Sequence, residues 1–140
     1  MRLVMAVVIA LAGCATLATG QPYSEDEMMT AAAALTKVTA AAEGNLRYGS
    51  LSDLLSDTEF LAQSVAYDPE LVKPLAAYQI KATRQGGHVV ILVCSQDGAT
   101  ALLEDAGCTA AMDRHRWRDD PMTACVFTIN IAQLCPAAPM

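Results

Sequence analysis

Hydrophobic and polar positions fall into three regimes along the chain. Residues 3–12 form an unbroken apolar run of ten, too short to cross a bilayer as a helix, which takes about 20. From Met28 to Val72 the apolar residues recur at helical spacing, and from Tyr78 onward stretches of strand-like pattern take over. The order of regimes predicts helices first and a small sheet afterwards.

The helical half carries its own punctuation. Ser24-Glu25-Asp26-Glu27 is a capping box, in which Ser24 caps the first turn and Glu27 reaches back, and its acids suit the positive end of the helix dipole. A helix is predicted over residues 28–43, with Met28, Ala32, Leu35, Val38 and Ala42 on its apolar face and Gly44-Asn45 as its stop. So many alanines permit close approach to another element, which suits core packing or, alternatively, a docking helix. Tyr48-Gly49 is a turn, and Ser50 opens a short helical turn through Leu51, Leu54 and Leu55. Ser56-Asp57-Thr58-Glu59 repeats the capping box and starts a helix through Phe60, Leu61 and Val65. Asp68-Pro69 begins a last helix through Leu71 and Val72, which Pro74 ends or kinks near Lys73.

In the second half, Tyr78-Gln79-Ile80-Lys81-Ala82-Thr83-Arg84 alternates apolar and polar as a half-buried strand does. Gly86-Gly87 supplies a hairpin turn, and Val89-Val90-Ile91-Leu92-Val93 reads as a central strand covered on both faces. Asp97 is positioned to cap a helix over residues 99–105, ended by Ala106-Gly107, and residues 126–131 form the third strand, with Phe127, Ile129 and Ile131 on one face. The expected fold is α+β: N-terminal helices, then a mainly antiparallel sheet of about three strands with one inserted helix.

Composition narrows the picture. The 54% hydrophobic fraction is swollen by the N-terminal run and by alanine, while four tyrosines, two phenylalanines and one tryptophan leave a modest aromatic core. The net charge is −6, which disfavours nucleic acid and anionic surfaces. No internal repeat is visible.

The ten apolar residues follow Arg2 and end at Leu11-Ala12-Gly13-Cys14. A basic start, a short apolar stretch and a small-residue boundary make a secretory signal, and these four residues resemble the lipobox of bacterial lipoproteins. The resemblance implies cleavage before Cys14, a thioether-linked diacylglycerol and an amide-linked acyl chain on that residue, and hence stable membrane anchoring through more than one chain. It makes residues 1–13 the signal, residues 14–23 a tether and residues 24–140 a single domain. Ala15, by the family's sorting pattern, implies the outer membrane facing the periplasm. Cleavage after Ala18-Thr19-Gly20 and soluble secretion is the competing expectation.

Either cut leaves Cys94, Cys108, Cys125 and Cys135, an even set suited to two disulfides outside the cytosol. Three connectivities are open. If the segments at Val89, Leu102 and Phe127 make a right-handed crossover, Cys108 pairs with Cys125 and Cys94 with Cys135; if the two strands are antiparallel, Cys94 lies near Cys125. The crossover pairing is the preferred expectation. The spacings match neither paired zinc ligands nor a C-x-x-C redox pair.

The densest functional run is Asp113-Arg114-His115-Arg116-Trp117-Arg118. A Cys108–His115–Asp113 nucleophilic set is conceivable in residue type, but a disulfide would consume the thiol. A metal site on His88 and His115 has only two scattered histidines to build on. The preferred expectation has Trp117 packing over the sheet and the arginines pairing with acids; Arg114, His115, Arg116 and Trp117 are also the candidates for a partner contact. Gly86-Gly87 and Asp97-Gly98 lack the spacing of a phosphate loop, and Ser95 lacks a G-x-S-x-G setting. No cofactor, metal or catalytic set is expected. The reading is a lipid-anchored envelope protein that binds a protein partner or serves as an assembly subunit. A secreted small-ligand binder or enzyme inhibitor is the alternative, and an enzyme using Asp113 and His115 a distant third.

Overall fold

The computed structural model describes residues 22–109, 112–113 and 116–135. Its elements are helix α1 (Glu25–Tyr48), helix α2 (Asp57–Val65), two 3-10 turns (Pro69–Leu71 and Lys73–Leu75), strands β1 (Gln79–Gln85), β2 (His88–Cys94), β3 (Ala101–Ala106) and β4 (Met112–Asp113), a 3-10 turn (Arg116–Arg118) and a one-turn helix α3 (Ile131–Leu134). The fold is α+β, with helices preceding an antiparallel sheet of order β1-β2-β3-β4.

Both capping boxes form. Ser24 accepts from the Glu27 amide at 3.1 Å while Glu27 accepts from the Ser24 amide at 2.9 Å, and Ser56 and Glu59 repeat the pair at 3.1 and 2.9 Å. The predicted apolar face of α1 is buried at Met28, Ala32, Leu35, Val38 and Ala42. The helix runs past Gly44-Asn45 and stops where the Gly49 amide meets the Asn45 carbonyl. Tertiary contact overrides the stop signal: Leu46 packs on the core, and Asn45 Nδ2 donates to the carbonyls of Ala41 and Ser64. Residues 51–55 turn without becoming helical, and the segment opened by Pro69 is two 3-10 turns that meet at Val72, with Pro74 inside the second.

Gly86 and Gly87, at φ 54° and 79°, make the hairpin that joins β1 to β2. Residues with both φ values positive fit the turn that matches strand twist. β2 is central and dry on both faces. Val89, Ile91 and Val93 meet the helices, while Val90, Leu92 and Cys94 face the C-terminal segment.

Two expected elements are corrected. Residues 99–105 are not an inserted helix; Ala101–Ala106 is a strand paired antiparallel with β2, Val90 opposite Ala106 and Leu92 opposite Glu104. Asp97 does accept from the Ala99 amide at 3.0 Å, but Gly98 at φ 73° turns the chain back into a hairpin. The same local bond begins a helix or closes a turn, and burial of all six residues against β2 selects the strand. The third strand is therefore β3, and residues 126–130 are irregular backbone.

Candidate functional site

After β3 the chain adds the short β4 and the core residue Trp117, and only then lies across the sheet. Residues 123–135, called the strap below, cover the face of the sheet opposite the helices. They bring Cys125 and Phe127 onto Leu92, and Ile129 and Ile131 onto Val90 and Ala106.

Glu104 explains why an irregular segment can lie on a sheet. Its side chain points to the strap from the middle of β3 and is fully buried. Its carboxylate accepts from the Thr128 amide, the Thr128 hydroxyl at 2.8 Å and the Ile129 amide at 2.8 Å, so it supplies what a neighbouring strand would otherwise supply. Arg116 Nη1 donates to the same carboxylate at 2.7 Å and to the Val126 carbonyl, and Nη2 donates to Thr123 Oγ1 and the Ala124 carbonyl. A buried charge pair tolerates its lost hydration only when its remaining lone pairs and protons are also met. Here they are.

Two disulfides staple the strap at its ends. Cys94 pairs with Cys125 and Cys108 with Cys135. The crossover-based expectation, Cys108 with Cys125 and Cys94 with Cys135, is overturned. Because β2 and β3 form a hairpin, Cys94 sits opposite Ala101, and the Ala101 amide donates to the Thr123 carbonyl, which delivers Cys125 to Cys94. At the other end, α3 seats Ile131 against Val90 and Ala106 and brings Cys135 to Cys108.

The strap's outer side carries Val126 and Leu134, exposed by 57% and 44%. Two depressions flank Asn130. One, of about 270 Å³, is lined by Ile129, Asn130, Gln133 and Leu134; the other, of about 370 Å³, lies between α3 and the β1–β2 turn at Gly86 and His88. An irregular segment held rigid on a scaffold is the usual carrier of recognition.

The other candidate residues are distributed as follows. Trp117 is buried in the helix-side core, as expected of a ring packing over the sheet, and Arg118 stacks on it at 4.8 Å while pairing with Glu25. Arg116 faces inward to Glu104, so Arg116 and Trp117 serve the scaffold. Arg114, His115 and Cys14 lie outside the described residues. Cys108 is in a disulfide and has no thiol for the Cys108–His115–Asp113 set. His88 is held by α1: its Nδ1 lies 2.5 Å from Glu43 Oε1 and 3.2 Å from Arg47 Nη2, while Glu43 Oε2 accepts from the Val89 amide at 2.9 Å. Among the described residues no three His, Cys, Asp or Glu side chains gather as a metal site, and no helix is long and apolar enough to cross a membrane.

Comparison of the chain with protein-family models, curated proteins and solved structures finds no match.

Proposed function

We propose that the protein is a lipid-anchored module of the bacterial cell envelope that acts by binding a protein partner through its strap. The observation that carries this reading is the strap's construction. Two disulfides, a buried ion pair and side-chain bonds to the Thr128 and Ile129 amides fix an irregular surface that keeps Val126 and Leu134 in solvent. Preorganising such a surface lowers the ordering cost of association. Arg114 and His115, in the connection leading into the strap, are further contributors to the contact.

The anchor rests on Leu11-Ala12-Gly13-Cys14 after an apolar stretch. Disulfides fit an oxidising compartment such as the periplasm, and Ala15 favours the outer membrane. Lipid on Cys14 would hold the domain at the bilayer, where a partner is met by lateral diffusion.

Two measurements test the reading. Intact mass of membrane-extracted protein is expected to show cleavage before Cys14, the added lipid and the loss of four protons for two disulfides; an unlipidated chain starting at Gln21 would give the secreted alternative instead. A photo-crosslinking residue at Val126 or Leu134 is expected to capture one stoichiometric partner, while the same residue at Lys37, exposed on α1, does not. Solubilised membranes that yield no partner from either strap position would overturn the binding assignment.

A further inference from the structure

A second site lies away from the strap's outer side, where the chain enters the domain. A depression of about 500 Å³ is lined there by Pro22, Tyr23, the β2–β3 turn at Ser95, Gln96 and Asp97, and by Thr100 and Met122. No lysine, arginine or histidine is among these residues.

Its parts are held in place before any ligand arrives. The Tyr23 ring is backed by Tyr78, with ring centroids 6.2 Å apart and a tilt of 51°. Ser95 is buried; its hydroxyl donates to Asp97 Oδ1 at 2.5 Å and accepts from the Thr100 amide at 3.1 Å. The Ala99 amide also donates to Oδ1, at 3.0 Å, so the Ser95 and Ala99 bonds both fall on one carboxylate oxygen. The Ser95 hydroxyl and the Ala99 amide hold the Asp97 carboxyl below its usual value, which keeps it charged. Burial, then Asp97 and then Glu27 push the Tyr23 phenol up, which keeps the ring neutral.

A fixed carboxylate, an aromatic face, a thioether and no basic group select for one ligand chemistry. An anion is repelled. A hard divalent cation wants six or more oxygens with several carboxylates among them, and among the described residues this depression sets one carboxylate beside neutral hydroxyl and amide groups. An organic cation uses all the parts at once, its charge on the carboxylate and its methyl or methylene groups on the ring and on Met122. We propose that this depression binds an organic ammonium group, with Asp97 taking the charge and Tyr23 covering the carbon substituents. The ammonium has two possible sources, a free amine or an amine-bearing lipid headgroup, and the site's chemistry is the same for both.

The test titrates the purified full chain with choline and with ethylamine while following the backbone amide resonances of Ser95, Gln96 and Asp97. Saturable shifts are expected, with a Kd on the order of 1 mM. D97N keeps an oxygen for Ser95 and the Ala99 amide and removes only the charge; it is expected to weaken binding about tenfold or more. Y23A is expected to weaken it comparably while Y23F retains it, with unchanged circular dichroism showing that each variant folds. In a second arm, retention on phosphatidylethanolamine vesicles that free choline displaces assigns the headgroup, and free-amine binding without vesicle retention assigns a soluble ligand. Absence of saturation across the millimolar range, or equal binding by D97N, overturns the proposal. Neither result depends on the strap or on lipid at Cys14.

Discussion

Glu104 and Arg116 meet at 2.7 Å beneath the strap, the first fully buried and the second 4% exposed. Among the described residues every other bond they make is to the strap, so the pair joins the sheet to a segment with almost no regular structure. E104Q keeps the shape and leaves the guanidinium charge unpaired in a dry site. The expected cost is about 3–5 kcal/mol in denaturant unfolding. A double variant, E104L/R116M, should lose much less than the two single variants summed, because it removes both charges together. A loss under about 1 kcal/mol for E104Q would show that the pair is hydrated and the strap held otherwise.

The two disulfides should be unequal in their response to reductant. Cys94 is inaccessible and Cys125 only 8% exposed, whereas Cys108 and Cys135 are each partly exposed at the strap's far end. Thiol exchange needs access to sulfur. Graded reduction followed by alkylation and peptide mapping is expected to release Cys108 and Cys135 first, and each bridge's removal should cost roughly 2–4 kcal/mol. Non-reduced peptides joining Cys94 to Cys135 would contradict the observed pairing.

What was legible in the sequence follows the range of the interaction. Ser24 with Glu27 and Ser56 with Glu59 act across three residues, and Gly86-Gly87 acts on itself, so each was readable and each formed. Asp97 was readable as a cap but not as to what it capped, since a helix start and a tight turn use the same bond to Ala99. The pairing of four cysteines hung on that one ambiguity, because strand orientation decides which ends meet. Glu104 was invisible: its partners lie 12 and 24 residues away, and a Leu-Leu-Glu-Asp stretch otherwise suits a helix. Trp117 packing and the pairing of Arg116 and Arg118 with acids were anticipated from residue type alone. The strap's rigid irregular backbone had no periodic signal to betray it.

Acid should weaken the α2 start in a predictable direction. The Ser56 amide, then the Ser56 hydroxyl, hold the Glu59 carboxyl below its usual value. A depressed folded-state pKa means stability present above the unfolded value, about 4.3, and lost as pH falls through the lower folded one. E59Q keeps an acceptor for the Ser56 amide but has no charge to titrate. The melting temperature of the parent is therefore expected to exceed that of E59Q at neutral pH, with the gap closing below about pH 4. A gap that widens on acidification would reverse the assigned sign.

Glycine provides an opposed pair of predictions on neighbouring ground. Gly44 is inside α1, where an added Cβ meets nothing within 4 Å. G44A should then stabilise by about 0.5–1 kcal/mol, since alanine loses less backbone freedom in a helix. Gly107, just past β3, is the reverse case. A Cβ there would sit 2.2 Å from Glu43 Oε2 and 2.9 Å from Glu43 Cβ. Glu43 cannot swing aside cheaply, because it accepts from the Val89 amide and Arg47 Nε and meets His88 Nδ1. G107A must either push α1 from the sheet or strip the Val89 amide of its acceptor, and about 1–3 kcal/mol is expected to be lost. Adding E43A to G107A removes most of the clashing side chain, so that substitution should cost less on top of G107A than it does alone. If G107A is neutral by itself, α1 and the end of β3 are not packed as closely as this geometry requires.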